Sequence, residues 1–234
     1  MKRLAAAAAL ALSALSAPVA AQPSASDAAP KPEVQTPESQ AAMTPAAALD
    51  RLRAGNVRFV ANATRQRDWS AKVVATASGQ FPFAAVLACM DSRGPIEIVF
   101  DQGLGDVFGV RVAGNIVNGD ELGSLEYAAK LGSKLIVVLG HTRCGAVKSA
   151  LDRVQLGNLT HLLEKISPAV LAAGCSDAKD EACVDAVAEQ NVRHSMQEIR
   201  ARSPYLAKLL GEGKLALRGA MYDVATGRVR FLDE

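Results

Sequence analysis

Aromatic side chains are scarce in this 234-residue sequence: one Trp, three Tyr and six Phe make up 4% of it. A core with so few rings must be filled by Val, Leu, Ile and Ala, which suits packed layers of strands and helices. Blocks of like charge are missing as well. Lys and Arg number 26 against 24 Asp and Glu, a formal net charge of +2, so no electrostatic footprint for nucleic acid or an acidic surface is present. No apolar run approaches the ~20 residues that a bilayer span requires. The length suffices for one sizeable core and argues against two full domains.

What is present begins with a leader. Lys2 and Arg3 precede the apolar run Leu4 to Leu15, and Ser16-Ala17-Pro18-Val19-Ala20-Ala21 follows. That is the order of a secretory signal with cleavage after Ala21, and the run is too short for a membrane anchor. Loss of 1–21 removes two cations and no acid, leaving 24 charges of each sign. The expected mature protein is therefore neutral, periplasmic or secreted, and free of the membrane. Residues 22–43 are rich in Pro, Ser, Ala and Gln with few large apolar groups, so they predict a disordered linker. Thr44-Pro45 then supplies an N-cap and a first-turn proline, and Leu49, Leu52, Val57 and Phe59 follow at roughly helical spacing. The folded domain is expected over 44–234, without internal repeats.

Three short apolar runs predict buried strands: Phe83 to Ala88, Val107 to Val112 and Leu135 to Leu139. Helical patterns over Glu121 to Leu131 and Cys144 to Val154 flank the third. Strand alternating with helix implies an α/β fold, a mainly parallel central sheet covered by helices. A long helix is expected over Ala182 to Arg202, stopped at Ser203-Pro204. Ala216 to Val224 and Arg228 to Leu232, joined through Ala225-Thr226-Gly227, predict a C-terminal hairpin at the sheet edge.

The chemistry-bearing residues follow two of the strands. Cys89-Met90-Asp91-Ser92-Arg93 comes after the first and His141-Thr142-Arg143-Cys144 after the third. In an open α/β sheet, ligands bind at the carboxyl ends of the strands, so these loops can converge there. Two thiolates and an imidazole suit Zn²⁺, and three protein ligands leave a fourth position open. A lone His-x-x-Cys reads more simply as a chance pairing of core residues. Cys89 and Asp91 tip the balance.

Cys-x-Asp-x-Arg followed some fifty residues later by His-x-x-Cys resembles the β-class carbonic anhydrases. So do Gly79-Gln80, Arg111-Val112-Ala113-Gly114-Asn115, Leu125-Glu126-Tyr127-Ala128, Gly140-His141, Cys144-Gly145, Asn191-Val192, Ser203-Pro204 and Gly219-Ala220-Met221-Tyr222-Asp223. The likeness spans 44–234. It implies the β-carbonic anhydrase fold, Zn²⁺ on Cys89, His141 and Cys144, and a dyad in which Arg93 holds the Asp91 carboxylate off the metal. It also implies reversible CO₂ hydration by attack of zinc hydroxide, with Gln80, Phe108, Tyr127 and Gly145 serving the substrate. Without the family, Phe108 reads as ordinary packing and Tyr127 as a buried phenol. Members are dimers whose active sites meet at the subunit interface, so a homodimer or homotetramer is expected, with Gln80 serving the neighbour's zinc. Alternatives on the same residues are hydrolysis of carbonyl sulfide or carbon disulfide, and a noncatalytic zinc or bicarbonate-binding protein. Intact Asp91, Arg93 and Gln80 argue against the last.

Several signals remain. Gly103 to Gly109 has the glycines of a phosphate loop but precedes a strand, which predicts a turn. His161 and His194 lack partner ligands. Cys175 and Cys183 are left over after zinc binding, and in an oxidising compartment a disulfide between them is favoured over two free thiols. Some family members close the site by moving the dyad Asp onto zinc and bind bicarbonate beside a Trp three positions before the first zinc Cys. Val86 stands there, so the open state is expected, with Asp91 on the metal only in a closed one.

Overall fold

The computed structural model describes residues 33–233. The expected signal sequence over 1–21 and the first part of the expected linker, 22–32, lie outside the described residues. In chain order the elements are α1 (Pro37–Ala42), α2 (Pro45–Val60), α3 (Trp69–Thr76), β1 (Ala84–Ala88), α4 (Ile96–Val99) and β2 (Val107–Arg111). Then follow α5 (Gly119–Lys130), β3 (Leu135–His141), α6 (Gly145–Leu151), α7 (Gly157–Glu164) and α8 (Ser167–Ala173). The chain ends with α9 (Glu181–Arg202), α10 (Pro204–Gly211), β4 (Ala216–Tyr222) and β5 (Val229–Phe231).

Helix α1 corrects the linker expected over 22–43. Thr36 and Ser39 form a reciprocal cap at its start, and buried Gln40 donates from Nε2 to the Pro82 carbonyl at 2.8 Å. Composition concealed this because the anchor is one polar amide satisfying a buried acceptor, and no apolar stripe advertises it. Helix α2 starts where its signals place it: the Thr44 hydroxyl accepts from Ala47 N–H and Pro45 opens the first turn.

The sheet order is β2-β1-β3-β4-β5, with the first four strands parallel and β5 antiparallel to β4. The α/β architecture, the parallel sheet and the terminal edge hairpin are thus as the sequence indicates. Central strands β1 and β3 are buried along their whole length, which explains their continuous apolar runs. Alternation sorts the side chains between faces. Ala85, Leu87, Ile136 and Val138 pack with α5, α6, α8 and α9, and Ala84, Val86, Leu135 and Val137 pack with α2 and α4. Val86 is fully buried in the second cluster.

Helix α9 lies close against β3 and β4. A Cβ added at Gly140 would sit 2.6 Å from Val192 Cγ2, and one at Gly219 would sit 2.9 Å from Val192 Cγ1. Two glycines therefore let this helix approach the sheet one residue before His141. The Asp180 carboxylate caps the helix, accepting from Ala182 N–H at 3.0 Å. At the start of the helix, Cys183 is joined to Cys175 in a disulfide with Cα atoms 5.9 Å apart, the pairing expected for two thiols outside the metal set. A closed loop this short contributes about 2–3 kcal/mol at most by the chain-entropy estimate. Among the described residues no helix is long and apolar enough to cross a membrane.

Candidate active site

The carboxyl ends of β1 and β3 bring the two signature loops together. Cys89 follows β1, His141 ends β3, and Cys144 is the N-cap residue of α6. Their ligand atoms all lie within 4.8 Å of one another, and all three residues are buried. The set can therefore hold a metal ion.

Two observations test that fit. The first is the imidazole. His141 Nδ1 donates to the Thr142 carbonyl at 2.9 Å, which leaves the lone pair on Nε2, and Nε2 is buried without a hydrogen-bond partner. A buried polar atom left this way costs about 1–3 kcal/mol; a cation accepting the lone pair removes the cost, and the Nδ1 bond fixes the tautomer that ligation needs. The second is the thiol pair. Cys89 is lowered, chiefly by its neighbour Cys144, while Cys144 is pushed up by Cys89 and by burial. Two buried thiols this close cannot both ionise cheaply by themselves, and a dication between them would take both as thiolates. Gly114 N–H donates to Cys89 Sγ at 3.3 Å. That glycine has φ +69°, and a Cβ there would lie 2.7 Å from Ile166 Cδ1. Asn191 on α9 holds its carbonyl at 2.6 Å.

Asp91 and Arg93 form a fork. Asp91 Oδ1 accepts from Arg93 Nε at 2.9 Å and from Arg93 N–H at 3.0 Å, and Oδ2 accepts from Nη2 at 2.7 Å. Oδ2 also lies 3.9 Å from His141 Nε2, so the carboxylate borders the ligand trio while pointing its charge at the guanidinium. The Arg93 side chain lowers Asp91 to about 2, outweighing a burial effect of opposite sign. Arg111, on β2, donates from Nε to the Cys89 carbonyl at 3.2 Å and from Nη2 to the Asp91 carbonyl at 2.6 Å. Tyr222 joins the loops: its hydroxyl donates to the Arg93 carbonyl at 3.2 Å, and its own carbonyl accepts from Thr142 N–H at 3.0 Å. Sequence reasoning gave Tyr222 and Asn191 no site role, because their partners lie far away in the chain.

Of the residues expected to serve substrate, only Gly145 adjoins the trio, as the exposed first residue of α6. Gln80 is exposed ahead of β1, at the opposite end of a strand about 16 Å long from Cys89. Phe108 sits on β2 opposite Ala85 and packs, half-buried, against the core. Tyr127 on α5 is 58% exposed, not the buried phenol of the family-free reading. The pocket that Cys89, Asp91, His141 and Tyr222 help to line includes none of these three.

A parallel sheet that presents two thiols and an imidazole beside a carboxylate–guanidinium pair defines a metal-dependent enzyme of the α/β class. The family description "Carbonic anhydrase" matches residues 84–229, and the chain belongs to the carbonic anhydrase family, in its β class. It is 39% identical over 196 residues to "Carbonic anhydrase 2" of Mycobacterium tuberculosis, covering 81% of this chain and 93% of that one. Over 195 residues it is 41% identical to "Carbonic anhydrase" of Mycolicibacterium smegmatis, covering 79% and 92%. Among solved structures, a tetrameric β-carbonic anhydrase from Sordaria macrospora superposes with a TM-score of 0.63 at 26% identity, covering 70% of this chain and 91% of that one.

The fork fixes a pH response. A carboxyl group lowered from 3.8 to about 2 stabilises the fold above pH 3.8, and that contribution fades as pH falls through 2. In the metal-free protein, carbon NMR should show Asp91 titrating near 2 and, in Arg93→Ala, returning towards 3.8. An unchanged midpoint in the variant would assign the shift to another group.

Proposed function

We propose that this chain catalyses the reversible hydration of CO₂ to bicarbonate and a proton with one Zn²⁺ held by Cys89, His141 and Cys144. The observation that carries the reading is the buried, partnerless His141 Nε2 grouped with two buried cysteine sulfurs, all within 4.8 Å of one another. Soft thiolates with one imidazole favour zinc over harder cations. When bound, the ion would acidify a water molecule so that it attacks carbon at neutral pH.

The chain's own groups orient that attack. Asp91, kept ionised by Arg93, accepts the remaining O–H of the attacking water at Oδ2 and so turns a lone pair towards CO₂. Cys89 and Cys144, as thiolates, would hold the ion and offset its charge, weakening the acidification it would supply, so the orienting bond from Asp91 carries more weight. Arg93 holds both carboxylate oxygens and keeps Asp91 from competing for the metal. As the C–O bond forms, one C=O pair moves onto oxygen, and the proton leaves to buffer. Gly145 offers its N–H at the start of α6. Gln80, Phe108 and Tyr127 are proposed to act on a neighbouring subunit's site. Among the described residues β2 is paired on one side only, and Ile98, Leu104 and Tyr127 on the segments beside it are exposed, which supports a dimer or a tetramer.

Stopped-flow CO₂ hydration should be rapid in the loaded protein and lost on chelation. Cys144→Ser should lose metal and turnover together; retained zinc with normal turnover would remove Cys144 from the site. Arg93→Ala should keep its zinc and lose roughly tenfold to a hundredfold in kcat. In the wild type, inhibition by bicarbonate near pH 7 should be hyperbolic, because Asp91 is engaged by Arg93 and Val86 offers no indole N–H to an anion. A sigmoidal curve would contradict this. Exported protein should begin at Gln22 and scatter light as a dimer or larger; a fully active monomer would overturn the shared site, and a retained Met1 would overturn export.

A further inference from the structure

Three residues on two elements meet at the turn between two metal ligands. Arg143, between His141 and Cys144, has φ +55°, a left-handed conformation that side chains other than glycine rarely adopt. Its N–H donates to Asp185 Oδ1 at 2.8 Å, and its Nε lies 3.1 Å from Glu181 Oε2. Its carbonyl accepts a long 3.5 Å contact from Arg93 Nη2. Asp185 and Glu181 both belong to the first turns of α9, and Cys183, between them in sequence, is crosslinked to Cys175 beyond the end of α8.

We propose that the start of α9, tied down by the Cys175–Cys183 disulfide, braces the His141–Cys144 turn, with Asp185 as the positioning residue that sets how firmly the site retains its metal. This rests on the zinc reading above and goes beyond it, since neither α9 nor the disulfide supplies a member of the Cys89, His141 and Cys144 trio.

The brace acts through backbone geometry. The cross-strand bond from Thr142 N–H to Tyr222 fixes the start of the turn, and Cys144 fixes its end as the first residue before α6. Between them, the Arg143 peptide decides whether the imidazole and the thiol converge, and Asp185 is the acceptor of its N–H. The Arg143–Glu181 pair has both side chains about half exposed and contributes little, so the weight falls on Asp185. A carboxylate on the second turn of a helix is only as well placed as that helix end, and helix ends fray. Further along, Val192 is locked over Gly140 and Gly219. Near its start α9 has the disulfide, with Cys183 buried, two residues from Asp185.

The test follows zinc release from the loaded full chain to a colorimetric chelator, together with the visible spectrum of the cobalt-substituted protein. Asp185→Ala and the double variant Cys175→Ser with Cys183→Ser should release zinc roughly tenfold faster and alter the cobalt bands. Asp185→Asn keeps an acceptor oxygen and should restore near-wild-type release. Val99→Ala, in the core on the opposite face of the sheet, controls for lost stability alone and should release zinc at the wild-type rate. Wild-type release from Asp185→Ala, or equal acceleration in Val99→Ala, would overturn the brace while leaving the zinc site standing. A wild type that takes up no zinc would overturn both. Should the double serine variant fail to fold, the Asp185 series decides.

Discussion

Everything in this protein is arranged around the burial of two sulfurs and an imidazole within 4.8 Å of one another. Such a cluster is unfavourable by itself: one nitrogen lacks a partner, and two thiols are buried beside it. It persists because each ligand is held by structure that forms for other reasons. β1 and β3 are central, fully buried strands whose register is set by apolar side chains, and the ligands stand where those strands end. The free energy that assembles the site is therefore mostly hydrophobic burial elsewhere.

Around the ligands, a shell of hydrogen bonds determines direction. Arg111 holds the carbonyls of Cys89 and Asp91, Asn191 holds the Gly114 peptide whose N–H reaches Cys89, and Tyr222 connects the Arg93 loop to the Thr142 turn. These bonds come from β2, α9 and β4, three different elements. Outer partners of this kind fix ligand orientation and basicity. Helix α9 has the widest reach, since Asn191 serves the Cys89 side and Asp185 the His141–Cys144 side. Its close seating depends on the missing side chains of Gly140 and Gly219.

The dyad shows how a charge is kept available without being free. Asp91 beside a cation site would be drawn onto it. The two-point grip of Arg93 opposes that pull and holds the carboxyl ionised far below neutral pH. A bidentate guanidinium grip also fixes the plane of the carboxylate, which a lone lysine could not do.

The sequence by itself singled out the candidate trio of Cys89, His141 and Cys144, the strand ends near them and the mainly parallel character of the sheet, because continuous apolar runs and their abrupt polar ends are local signals. It favoured a disulfide between Cys175 and Cys183 over two free thiols, since these two remain once the other cysteines are assigned, and the structure joins them. Thr44-Pro45 marked the start of α2 through capping chemistry that spans four residues. Tertiary structure alone decided that Pro37–Ala42 docks through Gln40, that Tyr222 and Arg111 hold the site loops, and that Gln80 and Tyr127 stand apart from the trio in one chain. The physical reason is common to the docking of α1 and the holding of the site loops. A hydrogen bond between residues 20 to 130 positions apart leaves no period, composition or spacing in the chain, and it exists only once burial has brought the elements that carry it into contact.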